Sequence, residues 1–287
     1  MFDNVGRMRA LIGSQELAAG RLTRHELATS YRRILPDVYV PKRAELNLDA
    51  RIEAAWLWSR GQGVISGVAA SALHGALWVD DATPIELNQP HNKVPFGIIA
   101  RRDTLLDAEI TRLRRIAVTT VERTAFDLAR RGPVGTAVAR LDALARATQF
   151  TADEVLAVAR VHPGVRGRRR VREVLDLVDA GAQSPKETWL RLLACAAGFV
   201  RPQTQYPILG PDGCPRYYLD MGWPKVMVAL EYDGQQHRTD PVRYRHDVAR
   251  SEYIAAQGWR RVAVLAGDRR AGIVDRLARA GAPRVNE

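Results

Sequence analysis

The sequence predicts a multidomain chain of mixed α+β and α/β class. Three observations predict it. The chain has 287 residues, more than the commonest single-domain size, so two or three domains are expected. Its first forty or so residues order two helices before a small β-hairpin. Its last hundred or so order α-β-β-β-α-β-α, with carboxylates at two of the strand ends. The boundaries expected from this pattern give domains at 1–45, 46–183 and 184–287.

Residues 4–19 carry Val5, Met8, Leu11 and Ile12 at helical spacing, and Gly20 offers a stop. Thr23 and Glu26 have the spacing of a capping box, which opens a short second helix. Tyr31 to Val40 then reads as strand, turn at Pro36-Asp37, and strand. Helix, helix, hairpin is the order of a winged helix-turn-helix. Any small α+β lobe has the same order, so the pattern by itself leaves both open.

The middle region predicts an amphipathic helix over 48–60 and a small-residue helix over 67–74, with Ser66 as its cap. His74 on that helix reads as a satisfied boundary histidine rather than a ligand. Short alternating stretches at 84–88 and within 94–120 read as strands. Helices follow near 120–130, 133–147 and 151–160, the last opened by Thr151 and Glu154. Gly181-Ala-Gln183 is the expected join to the last domain.

Formal net charge is +11, which suits a polyanionic partner such as DNA. Arginine outnumbers lysine 39 to 4, and the excess is spread along the chain, so composition alone does not decide the matter. Arg166, Arg168, Arg169 and Arg170 form the densest basic run. They read either as a phosphate-contacting patch or as a solvated loop and helix start. Two cysteines, Cys195 and Cys214, lack metal-site spacing. No apolar run approaches the roughly 20 residues that span a bilayer, and the first residues lack a signal-peptide pattern. A cytoplasmic protein with no membrane partner is expected.

The chemistry concentrates after residue 184. Ser184, Pro185 and Glu187 start a helix over 184–197; strands are expected at 203–208, 215–220 and 226–232, with a turn at 222–225. On the third strand Met227, Ala229, Glu231 and Asp233 share one face, since side chains alternate. With residue 220 opposite 229, Asp220 sits diagonal to Glu231 on that face; a one-residue slip sends it to the other. Clustered carboxylates resist burial unless a cation offsets their charge. Mg²⁺ takes one or two carboxylates plus water and phosphate oxygens, and such an ion serves phosphodiester hydrolysis. The plainer alternative is an exposed strand end paired with Arg216 or Arg245. Asp233 also begins an Asp-Gly turn signal. His237 reads either as a water-activating group or as a loop residue without a role. Glu187 is already explained by its cap, and Arg245 and Arg250 on the next helix either bind phosphate or form a solvated face.

Ser184-x-x-Glu187, Gln205, Leu219-Asp220, the run Ala229 to His237, Arg250 and Gln257-Gly-Trp259 resemble the very-short-patch-repair-like domain family of unknown function. That family belongs to the restriction-endonuclease-like, PD-(D/E)XK superfamily. The resemblance spans about 100 residues. It implies that Asp220 and Glu231 are metal ligands for Mg²⁺ or Mn²⁺, with the Tyr232 carbonyl a third. Asp233 falls where many superfamily members have a catalytic lysine, leaving the base to Asp233 or His237. Leu35 to Val40, Val64 to Gly75 and Val118 to Ala129 are similar to AbiEi-type antitoxins of abortive-infection toxin–antitoxin systems. This looser likeness implies a winged helix, a second α+β domain, promoter binding and a cognate toxin partner. Two functions are therefore expected to compete: a metal-dependent endonuclease acting in repair or defence, or an antitoxin-like repressor whose nuclease-like domain is weakly active or inactive.

Overall fold

The structure is a computed structural model that describes residues 10–91, 93–233 and 241–285, the side chains of 241–245 excepted. Two compact units make up the chain. Residues 1–132 and 147–176 form the first; residues 133–146 and 177–287 form the second. Both mix helices and sheets, and among the described residues no helix is long and apolar enough to cross a membrane.

The first unit begins with strand β1 (Leu11–Ile12), helices α1 (Gly13–Ala18) and α2 (Arg24–Ser30), and strands β2 (Tyr31–Leu35) and β3 (Val38–Pro41). The expected helix over 4–19 is corrected here. Leu11 pairs with Tyr39 and Ile12 with Val38, so the edge of β3 captures two residues that helical spacing had claimed. Val5 and Met8 lie outside the described residues. The three strands lie in the order β1-β3-β2. The Thr23 hydroxyl accepts from the Glu26 amide at 3.1 Å, and the Glu26 carboxylate accepts from the Thr23 amide at 2.8 Å, as the capping box requires. Helix α2 buries only Leu27, leaving Arg24 and His25 exposed.

Helix α3 (Leu48–Trp58) follows, capped by the Asn47 side chain. Then come β4 (Val64–Ser66), α4 (Gly67–Leu73), β5 (Ile85–Asn88), β6 (Ile98–Arg101), β7 (Ile110–Leu113), β8 (Ile116–Thr119) and α5 (Val121–Arg130). The five strands run β6-β5-β4-β8-β7, and Ile52, Ile65, Ile85, Leu87 and Val118 fill the core on the α3 and α4 side. Ser66 precedes α4, but its hydroxyl makes no cap bond. His74 Nε2 lies 2.8 Å from the Thr119 carbonyl oxygen, the satisfied boundary role expected of it. Helix α6 (Val134–Thr148) lies in the second unit up to Arg146; α7 (Ala152–Val161) and α8 (Val171–Asp176) return to pack beside α5.

The second unit continues with α9 (Pro185–Ala196), β9 (Gln203–Leu209), β10 (Pro215–Trp223), β11 (Val228–Asp233), α10 (Pro241–Ala256), β12 (Arg260–Leu265) and α11 (Arg270–Arg279). The sheet order is β12-β11-β10-β9, with β11 and β12 parallel and the other pairs antiparallel. Leu190, Phe199, Met221, Leu230, Ile273 and Leu277 pack one face under α9 and α11. Leu219, Ala229, Ile254 and Trp259 pack the other with α10.

Two expectations change. The units do not divide at 45 and 183: the first lobe joins the middle region, and α6 leaves it for the C-terminal unit. The cause is a buried polar anchor. Asp142 on α6 accepts from the Arg191 guanidinium and the Thr188 hydroxyl on α9, both at 2.7 Å, and from the Asp179 amide at 2.8 Å. Periodicity shows that α6 is amphipathic but not which core receives it. Second, β10 runs through Gly222 and Trp223, where a turn was expected. A Cβ on Gly222 would lie 2.9 Å from the Trp259 ring and 3.1 Å from the Val228 carbonyl oxygen, so this glycine permits close packing inside the strand.

Removing one partner of a buried ion pair strands the other. Asp142→Ala is therefore expected to destabilise the second unit by about 3–5 kcal/mol, read from the denaturant midpoint of a domain-specific probe such as Trp259 fluorescence.

Candidate active site

The site is built on β10, β11 and the start of α9. Met221 pairs with Leu230, Gly222 with Ala229 and Trp223 with Val228, and Asp220 and Glu231 follow directly beyond this ladder. The pairing is two residues away from the expected one, which had 220 opposite 229. Both carboxylates come to the same end of the strand pair, where the Glu231 charge acts on Asp220. The longer β10 and the tight 3-10 turn at Pro224–Val226 account for the difference.

Asp220 Oδ2 accepts from the Tyr232 amide at 3.0 Å, which ties it across to β11. Its carboxyl is pushed up to about 7, first by burial, then by Glu187 and Glu231; the Tyr232 amide and Arg250 act in the opposite sense. Glu187 sits in the first turn of α9. Its carboxylate accepts from the Gln183 amide at 2.8 Å and the Ser184 hydroxyl at 2.9 Å, and from Gln205 at 3.5 Å. Burial nevertheless raises its pKa above the ordinary carboxylate value. The helix start thus fixes a second carboxylate near the first.

Glu231 is buried and already neutralised. Arg250 Nη2 donates to its Oε1 at 2.5 Å and to the Tyr218 carbonyl at 2.7 Å, and the Arg261 guanidinium pairs with Oε2. Arg250 is therefore an ion partner of Glu231 in this structure, not a free phosphate contact. Sequence reasoning missed Arg261. It pairs with Ala229 on the parallel strand β12, two residues from Glu231 on the same face, and that pairing has no local signature.

Asp233 does not join the group. It is exposed at the end of β11, and the carboxylates that act on Asp220 are Glu187 and Glu231. Of the expected trio, Glu231 is buried, Asp220 half-buried and Asp233 exposed, and Glu187 from α9 also bears on Asp220. Tyr232 is half-buried, with Lys186 Nζ 5.6 Å from its ring centre. His237 and the Arg245 side chain lie outside the described residues. In the first unit, Arg168 Nε donates to the Ala159 carbonyl at 2.6 Å and an Arg170 Nη to the Gly132 carbonyl at 2.7 Å. Those two arginines brace the turn before α8, while Arg166 and Arg169 remain exposed.

All the donors are hard oxygens, which suits Mg²⁺ or Mn²⁺. Among the described residues no group of three or more His, Cys, Asp and Glu side chains is gathered closely enough to cage a metal ion. The arrangement suits an ion held by one or two carboxylates plus water, the usual habit of Mg²⁺.

No protein-family model matches the chain, and no solved structure matches it. The chain is 26% identical over 224 residues to uncharacterized protein MT2308 of Mycobacterium tuberculosis (strain CDC 1551 / Oshkosh), covering 78% of this chain and 82% of that protein. The same figures hold for uncharacterized protein Rv2248 of Mycobacterium tuberculosis (strain ATCC 25618 / H37Rv).

The displaced carboxyl gives a test of stability. Asp220 holds its proton more tightly when folded than at its ordinary 3.8, so stability is full below about 4 and is lost as pH rises through about 7. The gap corresponds to roughly 4 kcal/mol at most. Asp220→Asn keeps the acceptor for the Tyr232 amide and removes the charge. The variant should be the more stable protein at pH 8, with the difference shrinking toward zero at pH 4 in paired urea melts.

Proposed function

We propose that the chain is a DNA-binding protein whose C-terminal unit hydrolyses DNA phosphodiesters with a divalent cation, Mg²⁺ or Mn²⁺. The observation that carries this reading is the Asp220 carboxyl, tied to the Tyr232 amide at 3.0 Å and raised to about 7 by burial and by the neighbouring Glu187 and Glu231 carboxylates. A buried carboxylate surrounded by others is costly unless a cation is meant to join it. Asp220 and Glu231 hold that cation, with the Tyr232 carbonyl as the third protein ligand. When bound, the ion supplies Lewis acidity and offsets the negative charge that grows on the phosphate. Glu187 keeps its capping bonds and orients water beside Asp220. Arg250 steadies Glu231 through the Tyr218 carbonyl. Asp233 and His237 are the remaining candidates for proton transfer.

The DNA-binding half of the reading rests on the N-terminal lobe. Its β1-α1-α2-β2-β3 order and β1-β3-β2 sheet support the winged helix-turn-helix reading, in which α2 is the exposed reading helix. Arg24 and His25 on α2 and Arg33 on β2 face solvent, where they can meet phosphate or base edges.

One observation favours a second reading, an AbiEi-like antitoxin and repressor. Glu231 is neutralised by two arginines, so a cation must compete with them. In that case the nuclease-like unit is idle or weakly active, and a cognate toxin is the partner.

Plasmid and single-stranded DNA incubated with purified protein separate the two. Cleavage is expected with Mg²⁺ or Mn²⁺, abolished by chelator and reduced to background in Asp220→Asn and Glu231→Gln. The same ions should raise the melting temperature of the wild type but not of Asp220→Asn. Cleavage that persists in both variants would remove these residues from the site. Promoter binding without cleavage on any substrate would favour the repressor.

A further inference from the structure

The first unit contains a charge arrangement that the proposed nuclease does not use. Glu86, Asp103, Glu109 and Asp127 are interleaved with Arg101, Arg123, Arg130 and Arg131. Arg123 is buried and reaches Glu109 at 2.6 Å and Asp127 at 3.2 Å. Arg130 reaches Asp103 at 2.7 Å and Asp127 at 2.8 Å. Arg131 pairs with Glu86 at 3.1 Å and also with Asp103, while Arg101 pairs with Glu86 at 2.6 Å. Four arginines and four carboxylates balance. The Asp103 carboxyl shows the result: burial works to raise its pKa, but Arg131 and Arg130 hold it below the ordinary range.

Above this neutral floor lies a cavity of about 460 Å³, lined among others by Arg102, Asp103, Arg123, Arg130, His162 and Arg166. Asp103 is spent on Arg130 and Arg131. His162 is buried, with Nε2 2.6 Å from Glu109, which fixes its ring. Arg102 and Arg166 are exposed at the cavity, and among the described residues neither guanidinium has a hydrogen-bond or ion-pair partner. They add two positive charges with no carboxylate paired to them among the described residues.

We infer that this cavity binds a phosphate monoester, held between Arg102 and Arg166 over the Arg123–Arg130 floor. A phosphate monoester carries a charge of roughly −1.5 to −2 at neutral pH, which matches the unpaired surplus. Guanidinium forks suit its oxygens, as point charges would not. The volume exceeds that of a bare phosphate and falls in the size range of pockets for small ligands, about 300–1,000 Å³. The phosphorylated group is therefore that of a nucleotide-sized molecule or of a nucleic-acid 5′ end. This inference does not rest on the proposed nuclease, whose residues all lie in the other unit.

Calorimetric titration at fixed ionic strength tests it. The probes are inorganic phosphate, deoxyadenosine 5′-monophosphate, deoxyadenosine, and a short oligonucleotide with either a 5′-phosphate or a 5′-hydroxyl. The monophosphate should bind at about 1 mM or tighter. Inorganic phosphate should compete with it, and deoxyadenosine should not bind. Arg102→Ala with Arg166→Ala should weaken binding by about tenfold or more, since two charge-assisted contacts are lost. Both residues are exposed, so an unchanged melting temperature is expected and confirms that the variant folds. Asp220→Asn should bind the monophosphate as the wild type does, which separates this site from the nuclease site. Tighter binding of the 5′-phosphorylated oligonucleotide than of the mononucleotide would support the site and assign a nucleic-acid end as its source. Equal affinity for deoxyadenosine and its monophosphate, or undiminished binding in the folded double variant, would overturn it.

Discussion

The antiparallel pairing of β10 with β11 is the constraint on which the second unit depends. Met221 and Leu230 face each other in the core beneath α9 and α11. That apolar contact fixes the register, because a one-residue slip of either strand would turn its own core residue, Met221 or Leu230, out of the core. The same register brings Asp220 and Glu231 to one end of the strand pair, just beyond Met221 and Leu230. Hydrophobic burial and the placement of the carboxylates are thus one choice. Trp259 adds to it by packing on Gly222, where a side chain would not fit.

The two units handle buried charge in opposite ways. In the first, each of four carboxylates has arginine partners, and the network is internally neutral. Such networks hold elements in register at little net gain in stability, because desolvation offsets much of the attraction. In the second, Glu231 is matched by Arg250 and Arg261, but Asp220 has, among the described residues, one backbone donor and two carboxylate neighbours. Its raised pKa is the physical sign of an unfinished neutralisation. Titratable groups in that condition gather at functional sites more often than in structural networks.

Much of this was legible in the chain. The capping boxes at Thr23 and Thr151 form with both reciprocal bonds, since each needs only residues three apart. Glu231 was legible as one of a shared face on its own strand because alternation there depends only on residue parity, while Asp220 was joined to it only through an assumed register with 220 opposite 229. Asp233 was assigned to the same face for the same reason, yet it is exposed, because parity says nothing about where a strand leaves the core. The pairing of Arg250 with Glu231 was not legible: helix α10 presents several arginines, and only packing selects one. Arg168 and Arg170 looked like their neighbours Arg166 and Arg169 but are spent on backbone carbonyls.

Local chemistry therefore determined where most helices and strands begin, which residues share a face, and which carboxylates were candidates for a site. Those features depend on neighbours within a few residues, where sterics and hydrogen bonding leave few options. Tertiary structure decided the rest: that α6 packs with the C-terminal unit through Asp142, that Glu187 rather than Asp233 bears on Asp220, that Arg261 reaches Glu231 across a parallel strand pair, and that Arg102 and Arg166 have no ion partner among the described residues. Each depends on which of several equivalent side chains a distant element meets, and that selection is made only when the cores close.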